Sequence, residues 1–472
     1  MTGPALRLVL GIAAGDLPGL LKGLGARAGR ATPVAQEWHD TAAGDLATAG
    51  LVLVSWRDGA RAGWRVARLW PDGLAPWGSD GAVVAEARVR EALGAVVPDE
   101  TAMIARFTGR RRSARVGLCR LSLIDGVVAG AERRRVQVSR IVIEGPGLQD
   151  LALPGAWVLG ENLAGTALRL AGRLPARTAT VLPQLDATMT VSDALAVVLA
   201  HFGERLRHLA PRAAEGQGPE PVHQMRVTVR RARSALKLFG RAAAAPALVA
   251  FGAGLRELGH ALGPARDWDV FLGGITKSVA AAAGQAASRR LAGAAGRRRE
   301  EGYDALRCYL DGDGFRRLGL LLAVGALDRP WEREAPGAAL AVPIMTFADA
   351  ALQRQWKRLM APGADLSDLP EPRLHEIRLE AKRMRYAAEL FAGLHDRKRA
   401  GRFVAHLAEL QERLGQLNDG AVAATLLEAL GPAGRGFGGG VARGLVSARG
   451  EGLRAGIGKA WRRMRETKRF WH

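Results

Sequence analysis

One part of this chain is written twice. "VHQMRVTVRRARSALKLF" at 222–239 returns as "LHEIRLEAKRMRYAAELF" at 374–391, and "LRELGHALGPARD" at 255–267 returns as "LAELQERLGQLND" at 407–419. Both pairs are separated by the same 152 positions, with His, Arg, Phe, Gly and Asp matching in place. Shared Ala, Leu and Arg bias does not produce a constant offset, so the segment is a tandem duplication. From Ser192 onward the chain is written in long helical periods, interrupted by Pro/Gly punctuation such as "EGQGPEP" and "LDRPWEREAPG". The expectation is an all-α domain over 190–472, built of two helical bundles at 192–325 and 344–472 related by a pseudo-two-fold axis.

The repeated segment also carries a charge pattern. At about 100° per residue, His223, Arg226, Arg230, Arg233 and Lys237 fall within an arc of roughly 80°, beside an apolar arc of Val222, Met225, Val229, Ala232, Leu236 and Phe239. Arg231 points to another face. His375, Arg378, Lys382 and Arg385 repeat the stripe, with Glu389 standing where Lys237 stood. Like charges four residues apart destabilise a helix by about 0.2–0.5 kcal/mol per pair, so structure alone favours mixing in acidic residues. A rise of about 1.5 Å per residue spreads the first stripe over roughly 20 Å, which suits an extended polyanion. Arginine's fork and lysine's point charge both suit phosphate oxygens. A single such helix reads more simply as surface arginines lying along an Arg-rich helix; its repetition moves the balance toward a binding site. His223 and His375 each open a stripe, where a ring either meets an anion or caps its own helix. Asp267 and Asp419 read as residues that orient the arginines or cap a helix, and Lys357 as a supporting cation. No metal site is read from the histidines and these carboxylates. "GPAGRGFGGG" at 431–440 matches no phosphate loop and reads as a flexible connection.

Composition agrees with an anionic partner. The chain has 472 residues, 68 basic against 46 acidic, and a net charge of +22. Residues up to 185 hold 23 basic and 16 acidic side chains and the rest hold 45 and 30, so the larger surplus lies in the duplicated part. Two cysteines far apart, Cys119 and Cys308, suggest a reducing compartment and no thiol metal site. The first residues lack a secretory pattern, and "LGLLLAVGAL" at 318–327 is too short to span a bilayer, so a cytoplasmic protein is expected, without cofactor or membrane partner. Residues 1–185 read differently from the rest. Runs such as "GLVLVSWRDG", "ARVGLCRLSLIDG" and "RRVQVSRIVIEGPG", with Asp-Gly pairs at 58–59, 72–73 and 125–126, predict antiparallel hairpins in a β-rich, barrel-like α+β domain. The boundary falls in the proline-bearing stretch 174–191.

The repeated segments, "LGPARDWDVF" and "LGQLND" together resemble the CHAD domain, a duplicated helical module. The resemblance implies binding of inorganic polyphosphate by the two stripes, with association to polyphosphate granules. Residues 1–185 resemble a CYTH domain, the triphosphate-acting β-tunnel fold, at "EWHDTAAGDLATAGLVLVSWRDG" and "GWRVARL". That family opens on Glu-x-Glu-x-Lys, whose carboxylates hold a divalent metal. Here "ALRLVL" offers Ala5, Arg7 and Val9, and Glu144 is left among arginines. The expectation is therefore a non-catalytic binder of polyphosphate. Two alternatives stand beside it: an RNA-binding module, disfavoured because the stripes carry no stacking aromatics, and a metal-dependent triphosphatase or polyphosphatase, which needs paired carboxylates.

Overall fold

The computed structural model describes residues 7–68, 100–130, 134–145, 153, 155–159, 163–173, 182–216, 218–335, 337–363, 365–366, 369–451 and 453–471. The chain divides into two compact units, 1–180 with 316–328, and 181–315 with 329–472.

The first unit is an antiparallel sheet. Its strands are β1 (Arg7–Gly11), β2 (Thr32–Thr41), β3 (Leu51–Asp58), β4 (Arg61–Arg68), β5 (Thr101–Val116), β6 (Cys119–Gly130), β7 (Arg135–Glu144) and β8 (Trp157–Val158), in the order β4-β3-β2-β5-β6-β7-β1-β8. Short helices α1 (Leu17–Gly23), α2 (Asp45–Thr48) and α3 (Leu163–Leu170) accompany it. Among the described residues β4 and β8 are the sheet's two ends. Period-two alternation sorts the apolar residues into two clusters. Leu121, Leu123, Ile141 and Ile143 pack with Leu8, Leu10 and Leu17, joined by Leu320, Ala323 and Val324 of helix Asp313–Asp328. Trp38, Val54, Phe107, Val128 and Val138 pack with Ala164, Ala167 and Leu168 of α3. Before α2 the buried Asp40 carboxylate accepts from the backbone N–H groups of Thr41 at 2.8 Å and Leu46 at 3.0 Å.

The hairpin expected at Asp58-Gly59 is present between β3 and β4, with Gly59 at φ 62°. The one at Asp72-Gly73 lies outside the described residues. Asp125-Gly126 is not a turn: it sits inside β6, and the chain reverses instead at Gly117-Leu118, with Gly117 at φ 55°. The glycine is needed for packing. Gly126 faces Gly109 across the ladder, and a Cβ there would lie 2.3 Å from the Thr108 carbonyl and 2.7 Å from the Phe107 ring. Glu144 has Arg7 and Arg120 as its register partners, one on each neighbouring strand.

The second unit is all helical, so the expectation of an antiparallel sheet region followed by an all-α region holds. With the helix at Asp313–Asp328 labelled α8, its longer helices are α4 (Val191–Glu215), α5 (Glu220–Phe239), α6 (Pro246–Val270), α7 (Thr276–Asp311), α9 (Ile344–Met360), α10 (Glu371–Phe391), α11 (Arg397–Ala429), α12 (Phe437–Glu451) and α13 (Leu453–Glu466). Thr190 and Asp193 form a reciprocal capping box at the start of α4. The starts of α4 and α9, equivalent in the two repeats, are tied to each other by Val191 N–H to the Val342 carbonyl (3.0 Å) and Ile344 N–H to that of Met189 (2.9 Å). No helix among the described residues is long and apolar enough to cross a membrane.

The glycine-rich stretch read as a flexible connection is instead a helical crossing, forming a one-turn helix at Pro432–Arg435 and the start of α12. A Cβ at Gly438 would lie 2.2 Å from the Ala287 carbonyl oxygen, so backbone approach and not mobility explains the glycine. Gly438→Ala is expected to lower the unfolding free energy by about 1–3 kcal/mol. Gly440→Ala, whose Cβ would meet nothing within 4 Å, is expected to leave it unchanged or raise it by up to about 1 kcal/mol. Urea unfolding of the two variants checks this pair of outcomes.

Candidate functional site

The two repeated helices, α5 and α10, each bury an apolar face. Val222, Met225, Val229, Ala232, Leu236 and Phe239 are all buried, and so are their counterparts 152 positions on, Leu374, Ile377, Ala381, Met384, Ala388 and Phe391. Phe239 stacks on Phe347 of α9 at 5.3 Å between ring centroids, and both rings meet Phe391 edge-on at 6.5 and 6.2 Å. Each such pair contributes about 0.5–1.5 kcal/mol beyond the area it buries.

A buried ion pair joins the two helices. Glu389, 7% exposed, accepts from Arg231 of the other repeat at 3.1 and 2.7 Å and from Arg385 of its own helix at 2.8 Å. Arg385 also donates to the Gln411 side chain at 3.0 Å. The repeat equivalent of Arg231 is Arg383, and that of Glu389 is Lys237. The operation that relates the halves therefore carries an ion pair onto two cations. The pseudo-symmetry is broken electrostatically.

Those two cations face one cavity of about 270 Å³. Arg230, Arg233, Ser234 and Lys237 reach it from α5, Arg241 from the turn that follows, Gln355 and Arg358 from α9, and Lys382, Arg383 and Tyr386 from α10. Ser234 and Tyr386 are repeat equivalents, so the middle of the α5/α10 crossing supplies two hydroxyls. Seven cations line the cavity and none of its lining residues is acidic. Arg383 pairs with Glu380 on its own helix. Arg230, Arg233, Lys237, Arg241 and Arg358 have no carboxylate within 4.0 Å among the described residues. Nearby, burial and the positive charges of Arg241 and Arg358 together hold the Arg354 guanidinium below its usual pKa.

The expected site residues thus separate into groups. Arg230, Arg233, Lys237 and Lys382 come together at the cavity, so both stripes contribute to it. His223 and Arg226 lie further back along α5, half-buried, outside the lining. Arg226 is 4.0 Å from Asp267, which lies inside α6 near its end, an orienting distance at most. Burial first, and then the charge of Arg266 beside it, push the His223 pKa below 6.5; Arg230 and Arg226 act the same way and Glu220 opposes. In the second repeat His375 is exposed, Arg378 is half-buried, and Arg385 is occupied by Glu389. Lys357 is exposed and does not line the cavity, whereas its neighbour Arg358 does. Asp419 belongs to α11, and its side chain is outside the described residues. Sequence reasoning missed Arg241, Arg358 and Arg383. Arg383 is the repeat partner of Arg231, and Arg358 sits in a visible Lys-Arg pair; Arg241, just past the end of α5, carries no signal in the sequence.

The CHAD domain family model matches residues 196–428. The crystal structure of the CHAD domain from the plant Ricinus communis is 32% identical, covering 60% of this chain and 96% of that one with a TM-score of 0.51. PptA from Streptomyces chartreusis is 18% identical over 58% of this chain and 99% of that one, with a TM-score of 0.43, too slight a likeness to bear on this chain. No curated protein matches.

Removing the charge of Glu389 leaves Arg231, itself 13% exposed, without its carboxylate partner. Glu389→Gln is expected to lower the unfolding free energy by about 3–5 kcal/mol, read from chemical denaturation.

Proposed function

The chain belongs to the CHAD domain family, and on that premise we propose that it binds inorganic polyphosphate in the cavity between its two repeats. The observation that carries this reading is the lining: seven cations from α5, α9, α10 and the turn after α5, with no acidic residue among them. Surface arginines and lysines ordinarily find acidic neighbours or spread apart, because like charges held together raise the energy of the folded chain. Arg230, Arg233, Lys237, Arg241 and Arg358 stay together with no carboxylate within 4.0 Å among the described residues, an arrangement that is understood when a ligand supplies the negative charge. A phosphate chain offers closely spaced oxygens to guanidinium forks from both helices, while the Ser234 and Tyr386 hydroxyls add neutral donors.

Binding, without turnover, is the activity proposed. The lining supplies donors and positive charge, but no carboxylate or histidine to take a proton from an attacking water. Tyr386 is the single aromatic residue in the lining, which suits a ligand with no bases to stack better than it suits RNA. A protein of this kind belongs where polyphosphate accumulates, on its granules.

Replacing Arg230, Arg233 and Lys237 together by Ala is expected to leave the circular dichroism spectrum unchanged, since all three are exposed. It should weaken polyphosphate binding about 100-fold or more, and lower the slope of log affinity against log salt by about 3. Unchanged affinity in a calorimetric titration would place the site elsewhere, and displacement of polyphosphate by single-stranded RNA at equal phosphate concentration would favour a nucleic-acid ligand.

The depressed pKa of His223 gives a pH dependence. An anion on the stripe offsets the charges of Arg266, Arg230 and Arg226, raises the histidine pKa and makes binding take up a proton. Affinity is then expected to rise as pH falls through the bound-state pKa and to level off below the free-state value, which is under 6.5. The same titration with His223→Gln should show a flatter profile.

A further inference from the structure

A second concavity, of about 500 Å³, adjoins the cavity and shares Arg233 and Lys237 with it. Its walls are small and apolar: Gly240, Ala243, Ala244 and Ala245 from the turn after α5, with Leu248, Val249 and Gly252 from the first turns of α6. Arg256 also lines it. Gly252 and Arg256 are four residues apart on one face of α6, and a rise of about 1.5 Å per residue puts Arg256 about 10 Å beyond Val249. The groove therefore has Arg233 and Lys237 where it meets the cavity and a third cation, Arg256, further along α6, with alanine and glycine set among Leu236, Leu248 and Val249 between them. The start of α6 is already occupied, since the Ala247 N–H donates to Glu334 at 2.8 Å. An anion here meets side chains rather than a helix end.

The second repeat has no such extension. At the equivalent positions Lys237 becomes Glu389, Arg241 becomes Gly393 and Arg256 becomes Ala408. Arg385, the counterpart of Arg233, is spent on Glu389 and Gln411. The line of cations leaving the cavity continues over the first repeat and stops in the second.

Building on the polyphosphate reading, we infer that this groove is a second subsite, which receives the continuation of a long phosphate chain in one direction, with Arg256 as its outer anchor. A short oligophosphate fills the cavity alone. The duplication has become functionally one-sided: one repeat extends the site, and the other ends it with Glu389.

The test compares tripolyphosphate with long-chain polyphosphate on the full chain by calorimetry at two salt concentrations. The variants are Arg256→Glu, at an exposed position, and Gly252→Glu, where a Cβ would meet nothing within 4 Å. Both are expected to hold tripolyphosphate affinity within about twofold, to lose about tenfold or more for long chains, and to lower the long-chain salt slope by about 1. Unchanged long-chain affinity in both variants overturns the subsite, and so does an equal loss for the two ligands, which reports a general field effect on the cavity. Failure of the unaltered chain to bind either ligand overturns the polyphosphate reading itself, and the subsite with it.

Discussion

The charge distribution of the helical unit turns on Glu389. A carboxylate that is 7% exposed must find its hydrogen bonds inside the protein, and it finds them on Arg231 across the repeat boundary and Arg385 on its own helix. Because α5 and α10 pair Arg231 with Glu389, the symmetry of the duplication places Lys237 opposite Arg383 at the other end of the crossing. At one end a carboxylate is shared by two arginines, while the other is cationic with no acidic residue in the cavity lining. A single substitution between the repeats, Lys to Glu, separates them.

The apolar faces make that separation tolerable. Twelve equivalent positions on α5 and α10 are buried, and a cluster of three phenylalanines joins the repeats. Burial of this kind does not depend on charge, so it holds the helices in place while the cations beside it repel each other. Burial first, and then neighbouring positive charges, hold Arg354 and His223 below their usual pKa. An anion that binds only the folded chain offsets the repulsion and stabilises the fold by mass action. Stability and binding are thereby coupled at the same cations.

The sheet unit shows how one sequence signal can mean two things. Asp-Gly at 58–59 makes a turn, and the same dipeptide at 125–126 runs straight through β6. Nothing within either dipeptide distinguishes them. The difference lies in the opposite strand, where Gly109 and the ring of Phe107 take the space that a side chain at 126 would fill. The glycine-rich stretch near 434 is the same case, with the Leu427 and Ala287 carbonyls pressed against it where looseness was expected. In both places glycine answers a neighbour distant in sequence.

The sequence by itself determined the helical repeat, the buried face of each repeated helix and the arc on which their cations lie, because each is written in repetition and periodicity along the chain. It also isolated Arg231 from the stripe. Which cations face a common space was decided only by tertiary structure. Arg385 and Lys382 are three residues apart on one helix, yet Lys382 opens onto the cavity while Arg385 is held by Glu389 and Gln411. Arg241 and Arg358 join the site from a turn and from another helix. Helical angles rank residues around one axis. A cavity is made where several axes cross, and the crossing is set by the packing of Phe239, Phe347 and Phe391 and by one buried carboxylate.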